Sequence, residues 1–232
     1  MRRFSFEFDD VANCIRLAHK YNIPDVLADA LEELKESFPD TLRDIAPSMD
    51  AIVAVNLARL TDTLAMLPML LYECCRLPGD TLVAGRMRPC GLIDHLSPGD
   101  LALCFDAKGR LCARTLTLIS KLFVSSNLLS DQFNLKCATP KICRASVFSL
   151  RAKWTEQALS GCSDLLRDWG RIIKNRNHKL SPKPSDPLCK SCILTLREKA
   201  DALRAQAHLD LPAILGLARE PEASLKETED IS

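Results

Sequence analysis

The chain has 232 residues, and 47% of them are apolar, which is enough to bury the core of one domain or of two small ones. Only 8 glycines against 13 prolines, together with few aromatic residues, disfavour β-sandwiches and barrels, which need many tight turns. Lysine and arginine total 31 and aspartate and glutamate 30, so the net charge of +1 provides no overall field for nucleic acid or anionic lipid.

Apolar residues recur at helical spacing along most of the chain. Pro68 lies inside the fourth predicted helix and should kink or restart it. Ser97-Pro98-Gly99-Asp100 is a typical helix start, with Ser97 as the N-cap and Pro98 at the first position. The predicted helices span 9–21, 25–37, 48–60, 64–75, about 97–122, 144–158, 163–173 and 188–207, with a short helical turn at 211–215.

Four segments lack this periodicity. Residues 78–91 and 125–143 are predicted to be loops, and 174–187 a basic, proline-containing surface loop. The acidic tail, 218–232, is predicted to be disordered. Strands are scarce. We therefore predict an all-α fold: an irregular multi-helix array in which a loop is tied to the C-terminal helix by a cysteine cluster.

Two cysteine pairs are the candidate metal ligands of the chain. Cys189-Lys190-Ser191-Cys192 is a C-x2-C pair at the predicted start of a helix, whose N-terminus favours the negative charge of thiolates. Cys137 and Cys143 form a looser C-x5-C pair in the predicted loop 125–143. The four thiolates of these two pairs would complete a tetrahedral zinc site.

The spacing of these cysteines is also compatible with two other interpretations. The four residues can be ordinary reduced thiols, or Cys189 and Cys192 can form a redox-responsive dithiol. A thioredoxin-like arrangement needs a strand before the pair, and the sequence predicts none before Pro187. Among the other cysteines, Cys74 and Cys75 are predicted to pack in the core.

Common catalytic motifs are absent from the sequence. It has no phosphate-binding glycine loop, no G-x-S-x-G elbow and no H-E-x-x-H helix. The basic stretch 171–183 lacks the interleaved aromatic residues of a nucleic-acid site. We therefore expect a protein that is not an enzyme and does not bind nucleic acid.

The first residues contain two arginines but no apolar run of the length that a secretory signal needs. The longest apolar stretch, 64–72, is about half of what a membrane span requires. We therefore expect a cytoplasmic or nuclear protein without a membrane segment, whose thiols stay reduced.

Short motifs follow one another along residues 4–217 in an order that resembles a known family. Residues 8–23 resemble the closing helical pair of a BTB/POZ domain, and the rest is similar to the helical region that follows this domain in basidiomycete fungal proteins. The carrying motifs are Phe8-Asp9-Asp10-Val11, Leu17 to Ile23, Leu34 to Phe38-Pro39, Leu67-Pro68, Tyr72-Glu73-Cys74, Leu96 to Asp100, Gly109-Arg110, Cys137/Cys143, Cys189/Cys192, Leu211-Pro212 and Leu215-Gly216-Leu217.

The resemblance implies a division of the chain. Residues 1–37 would be the remnant of the closing BTB helices, 38–217 the helical C-terminal region and 218–232 the tail. It implies protein–protein interaction, with a cullin-type ubiquitin ligase link by family analogy. Since the BTB core is missing, the implication does not extend to a BTB-type homodimer. Both cysteine pairs belong to the family pattern, which favours zinc bound by Cys137, Cys143, Cys189 and Cys192.

Overall fold

The computed structural model of the protein describes residues 7–39, 47–123, 137–160, 164–175 and 188–217. This part of the chain contains ten α-helices, one 3-10 helix at Leu64–Met66 and a two-stranded sheet, which confirms the predicted all-α array. The helices are α1 (Phe8–Lys20), α2 (Pro24–Ser37), α3 (Asp50–Leu60), α4 (Leu67–Arg76), α5 (Gly79–Ala84), α6 (Pro98–Phe123), α7 (Pro140–Leu159), α8 (Trp169–Asn175), α9 (Lys190–Leu209) and α10 (Leu211–Leu215).

The segment 78–91 is more regular than predicted. It contains α5 and the strand β1 (Arg86–Met87), which pairs antiparallel with β2 (Ile93–Asp94). Gly85 joins α5 to β1 with a φ of +76°, and a Cβ at this position would lie 2.5 Å from the carbonyl oxygen of Asp94. A helix of six residues and strands of two are too short to produce a periodic signal, so the loop prediction was wrong here.

The predicted loop 125–143 also ends earlier than expected. The helix α7 begins at Pro140, whose ring suits the first helical turn, so that Cys143 lies in a helix and not in a loop. At the other proline, Pro68, the helix restarts as predicted, because α4 begins with Pro68 in its first turn after the 3-10 helix. Residues 125–136, 176–187 and the tail 218–232 lie outside the described residues, so the loops and the disorder predicted for them stay predictions.

The long helix α6 is the centre of the packing. Helices α4, α5, α7, α9 and α10 all pack against it. The predicted N-cap is confirmed, since the hydroxyl of Ser97 accepts the backbone N–H of Asp100 at 3.1 Å. The Asp100 carboxylate accepts a hydrogen bond from Arg59 of α3 at 2.7 Å, which ties the start of α6 to the N-terminal helices. Among the described helices, none is long and apolar enough to cross a bilayer.

Basic side chains satisfy the carbonyl groups at three helix C-termini. Lys108 of α6 donates to the carbonyl oxygens of Cys75 and Leu77 at the end of α4, at 2.8 and 2.6 Å. Arg110 of α6 donates at 2.7 and 2.8 Å to two carbonyl oxygens of α10, and Lys199 of α9 donates at 3.3 Å to Leu122 near the end of α6. Each cation meets the negative end of a helix dipole, which favours these contacts.

Three aromatic rings connect the helices of the C-terminal half. Trp154 of α7 lies between Phe123 of α6 and Trp169 of α8, with ring centroids 5.2 and 4.5 Å apart. All three side chains are buried. From the other side, the hydroxyl of Tyr72 in α4 accepts the backbone N–H of Leu166 at 2.9 Å, so the segment before α8 is held against the core.

An ion-pair network joins the hairpin to the N-terminal helices. Arg86 of β1 pairs with Asp9 of α1 at 2.5 Å and with Asp50 at the start of α3 at 2.7 Å. Asp94 of β2 accepts from Arg88 at 2.6 Å and pairs with Arg16 of α1 at 3.2 Å. The hydrogen bond from Arg88 and the neighbouring charges outweigh burial and lower the pKa of Asp94.

Replacement of Asp94 tests this network. Because the pKa of Asp94 is lower in the folded protein, its stabilising effect is complete above its ordinary value near 3.8 and is lost as the pH falls through the folded pKa. Asp94→Asn should therefore lower the free energy of unfolding by about 1–3 kcal/mol at pH 7, and by less at pH 3, which lies below the ordinary pKa of 3.8. Urea unfolding at both pH values measures the difference. Asp29→Asn, on the exposed face of α2, is the matched control and should cost little at either pH.

Candidate metal centre

All four predicted cysteines stand at the beginning of two helices. Cys137 precedes α7, and Cys143 lies in the first turn of that helix. Cys189 is the N-cap of α9, and Cys192 lies in its first turn. The fold therefore brings two distant parts of the chain together with their helix N-termini at one point.

The sulfur atoms form a compact group. The four Sγ atoms all lie within 4.8 Å of one another. Cys137 Sγ is 3.5 Å from Cys192 Sγ and 3.8 Å from Cys189 Sγ. A tetrahedral zinc ion with Zn–S bonds of 2.3 Å has its sulfur atoms about 3.8 Å apart, whereas a disulfide needs about 2.05 Å. All four are free thiols, and their spacing is compatible with a metal site.

Two groups lie within hydrogen-bond distance of Cys143 Sγ. This sulfur accepts the backbone N–H of Cys189 at 3.3 Å, and the hydroxyl of Thr139 lies 3.3 Å from the same atom. Thr139 is the N-cap of α7, but its hydroxyl makes no capping bond to the backbone and faces the sulfur. Donors of this kind orient and stabilise metal-bound thiolates. Thr139 was not predicted as part of the site, although a threonine before a helix-starting proline and four residues before a cysteine is a usable signal.

The electrostatic setting favours negative charge on sulfur. The helices α1, α2, α3 and α6 each carry aspartate in the first turn, where it complements the positive end of the helix dipole. The first turns of α7 and α9 carry no acidic residue. They carry Lys141 and Lys190 together with the cysteines, so that thiols stand where those four helices carry carboxylates.

The pKa values of the thiols shift in different directions. Burial opposes ionisation of Cys189, but the backbone N–H groups of Cys192 and Ala138 outweigh it and lower the pKa of Cys189 to about 6. Burial and the neighbouring sulfur atoms raise the pKa of Cys192, and burial raises that of Cys137. Four adjacent thiolates repel one another, and a divalent cation at their centre removes that repulsion. The arrangement can therefore hold a metal ion.

The other described cysteines stand outside this group. Cys74 and Cys75 are fully buried, as predicted, and pack near the buried Cys104 of α6. Hydrogen bonding to Cys104 and burial raise the pKa of both residues, which keeps them protonated and unreactive. Cys90, in the turn of the hairpin, is exposed.

The chain matches no protein-family model, no curated protein and no solved structure. The candidate site is therefore defined by its own geometry: four sulfur atoms, two helix N-termini, and a backbone N–H and a threonine hydroxyl within hydrogen-bond distance of Cys143 Sγ.

Removal of the threonine hydroxyl tests its role beside Cys143 Sγ. Thr139→Val keeps the shape of the side chain but leaves Cys143 Sγ with one donor fewer, so the affinity for an added divalent metal should fall roughly ten-fold. Competition with a chromogenic chelator measures this affinity. The control is Thr117→Val on the exposed face of α6, where the hydroxyl bonds only its own helix, and an equal loss there would contradict the assigned role.

Proposed function

We propose that this protein is a non-enzymatic protein–protein interaction module whose C-terminal half is fastened by a structural zinc ion on Cys137, Cys143, Cys189 and Cys192. The convergence of the four Sγ atoms within 4.8 Å carries this proposal. Four protein ligands fill the tetrahedral coordination of zinc and leave no open position for substrate or water, which supports a structural role and not a catalytic one.

The ligand set favours zinc over the other common divalent metals. Calcium and magnesium prefer oxygen ligands, and a tetrahedral group of four thiolates is typical of zinc or of iron–sulfur chemistry. The two cysteine pairs, each at the N-terminus of a separate helix, would hold one ion between them. A dithiol of Cys189 and Cys192 alone is less well supported, because Cys137 Sγ lies within 3.8 Å of both sulfur atoms.

The position of the site explains what the ion would stabilise. Helix α7 packs mainly on α6, whereas α9 packs mainly on α8 and also on α6. The zinc ion would join the N-termini of α7 and α9, and its binding energy would become folding energy for this half of the chain.

Exposed apolar side chains support the interaction role. Val83, Met87, Leu92 and Ile93 lie on α5 and the hairpin, and each is more than half exposed. The strands keep Arg86 and Asp94 in the ion-pair network, so the alternate positions Met87 and Ile93 point away from it. Neighbouring apolar side chains that remain in solvent are typical of surfaces that bind other proteins. The resemblance to the region after a BTB core fits an adaptor, and a cullin-type ligase would be its partner by analogy.

Metal analysis tests the zinc site directly. Protein purified without chelator should contain zinc in a 1:1 ratio to the chain, and removal of this zinc should release four additional thiols to a thiol reagent. Elemental analysis and a thiol titration before and after chelation measure both quantities. Metal-free protein that binds no added zinc would contradict the proposal.

Cys192→Ser tests the structural role of the site. Loss of this buried ligand should remove the stabilisation of α7 to α9 by metal, which is about 4 kcal/mol when free zinc is 1,000 times its Kd. Helices α1 to α4 should stay largely folded. Hydrogen exchange resolved by peptide measures the two halves separately. Cys90→Ser, at the exposed hairpin turn, is the matched control, and unchanged exchange in α9 of Cys192→Ser would contradict the proposal.

A further inference from the structure

We propose that the cysteine cluster is also a thiol-oxidation site, at which a peroxide joins Cys137 to Cys189 in a disulfide and displaces the bound metal. Metal release rests on the zinc site proposed above. The choice of the two sulfur atoms rests on burial and distance alone.

Access to solvent divides the four cysteines into two pairs. Cys143 and Cys192 are fully buried, each with no exposed surface. Cys137 and Cys189 are only partly buried. A small oxidant from solvent therefore meets Cys137 and Cys189 first, and oxidation of cysteine follows exposure.

The same two residues have the freedom to form a bond. Their Sγ atoms are 3.8 Å apart and must approach to about 2.05 Å. Cys137 lies three residues before α7 and Cys189 is the N-cap of α9, so neither residue lies inside a helix. Cys192 Sγ lies slightly nearer to Cys137, at 3.5 Å, but Cys192 stands inside the first turn of α9 and is buried.

The oxidation proceeds in two steps. The thiolate of Cys189 attacks one oxygen of hydrogen peroxide, the O–O bond breaks, and a sulfenic acid and one hydroxide ion form. The thiolate of Cys137 then attacks the sulfur of the sulfenic acid, the S–O bond breaks, and a second hydroxide ion leaves. The two sulfur atoms lose two electrons in total, peroxide accepts both, and the hydroxide ions take protons from solvent.

This choice of pair determines what oxidation does to the fold. Zinc would retain only Cys143 and Cys192 as ligands and would dissociate. The disulfide would still connect the segment before α7 to the start of α9, so the junction would stay closed without metal. A disulfide between Cys189 and Cys192 would instead lie within one turn of α9 and would leave the segment before α7 untied.

The test uses the full chain with Cys90→Ser, which removes an exposed thiol outside the cluster. The zinc-loaded protein is treated with hydrogen peroxide, released zinc is followed with a chromogenic chelator, and disulfides are mapped by peptide mass spectrometry. We expect zinc and the Cys137–Cys189 disulfide to appear in equal amounts and at equal rates. A Cys189–Cys192 disulfide, or a Cys137–Cys189 disulfide formed while zinc stays bound, would overturn the proposal.

Two further samples separate this proposal from the zinc site. Metal-free protein should form the same Cys137–Cys189 disulfide. A protein that binds no zinc would therefore contradict the zinc site, but the disulfide mapping would still test which two sulfur atoms react. In Cys137→Ser the resolving thiol is missing, and the sulfenic acid on Cys189 should accumulate and react with dimedone. Cys112→Ser on α6, outside the cluster, is the control and should behave as the parent protein. Equal dimedone labelling of the parent would overturn the role of Cys137.

Discussion

Burial of one side of α6 is the interaction on which the rest of the described structure depends. The helix has 26 residues and is about 39 Å long, so it offers one continuous apolar face to five other helices. Its fully buried residues include Cys104, Ala107, Leu111 and Leu122, which are spread over its whole length. Among these neighbours, α10 packs on both α4 and α9, and additional contacts fix the ends of the helices.

Charge at helix ends supplies those contacts. Three C-termini receive a lysine or arginine from a neighbouring helix, and the two N-termini of α7 and α9 share a group of thiols in place of aspartate. Both arrangements use the helix dipole, with cations at its negative end and cysteine sulfur at its positive end. The cysteine cluster therefore follows the same electrostatic rule as the helix C-termini, and the proposed metal ion would strengthen it by allowing several thiols to ionise together.

Much of this arrangement could be predicted from the sequence. The apolar periodicity predicted the long helices, including α6 with its Ser97 cap, because helices of this length bury a repeated face. The cysteine spacing identified the four residues that meet, although it left a zinc site, ordinary reduced thiols and a redox dithiol open. The short α5 and the hairpin were missed because local periodicity cannot reveal strands of two residues, and Asp94 and Arg16, which pair there, are 78 positions apart. Thr139 was missed because its partner, a cysteine sulfur, depends on where α7 begins.

The distance along the chain between the two cysteine pairs has a consequence for how this protein can change. The chain has 45 residues between Cys143 and Cys189, and the cluster closes them into a loop. The entropy cost of closing a flexible loop grows only with the logarithm of its length, by about 0.6 kcal/mol for each doubling. Insertions or deletions between the pairs that leave α7, α8 and the buried residues between these helices unchanged should therefore cost little stability. The cysteine cluster permits length variation in this part of the chain while the spacing within each cysteine pair stays fixed.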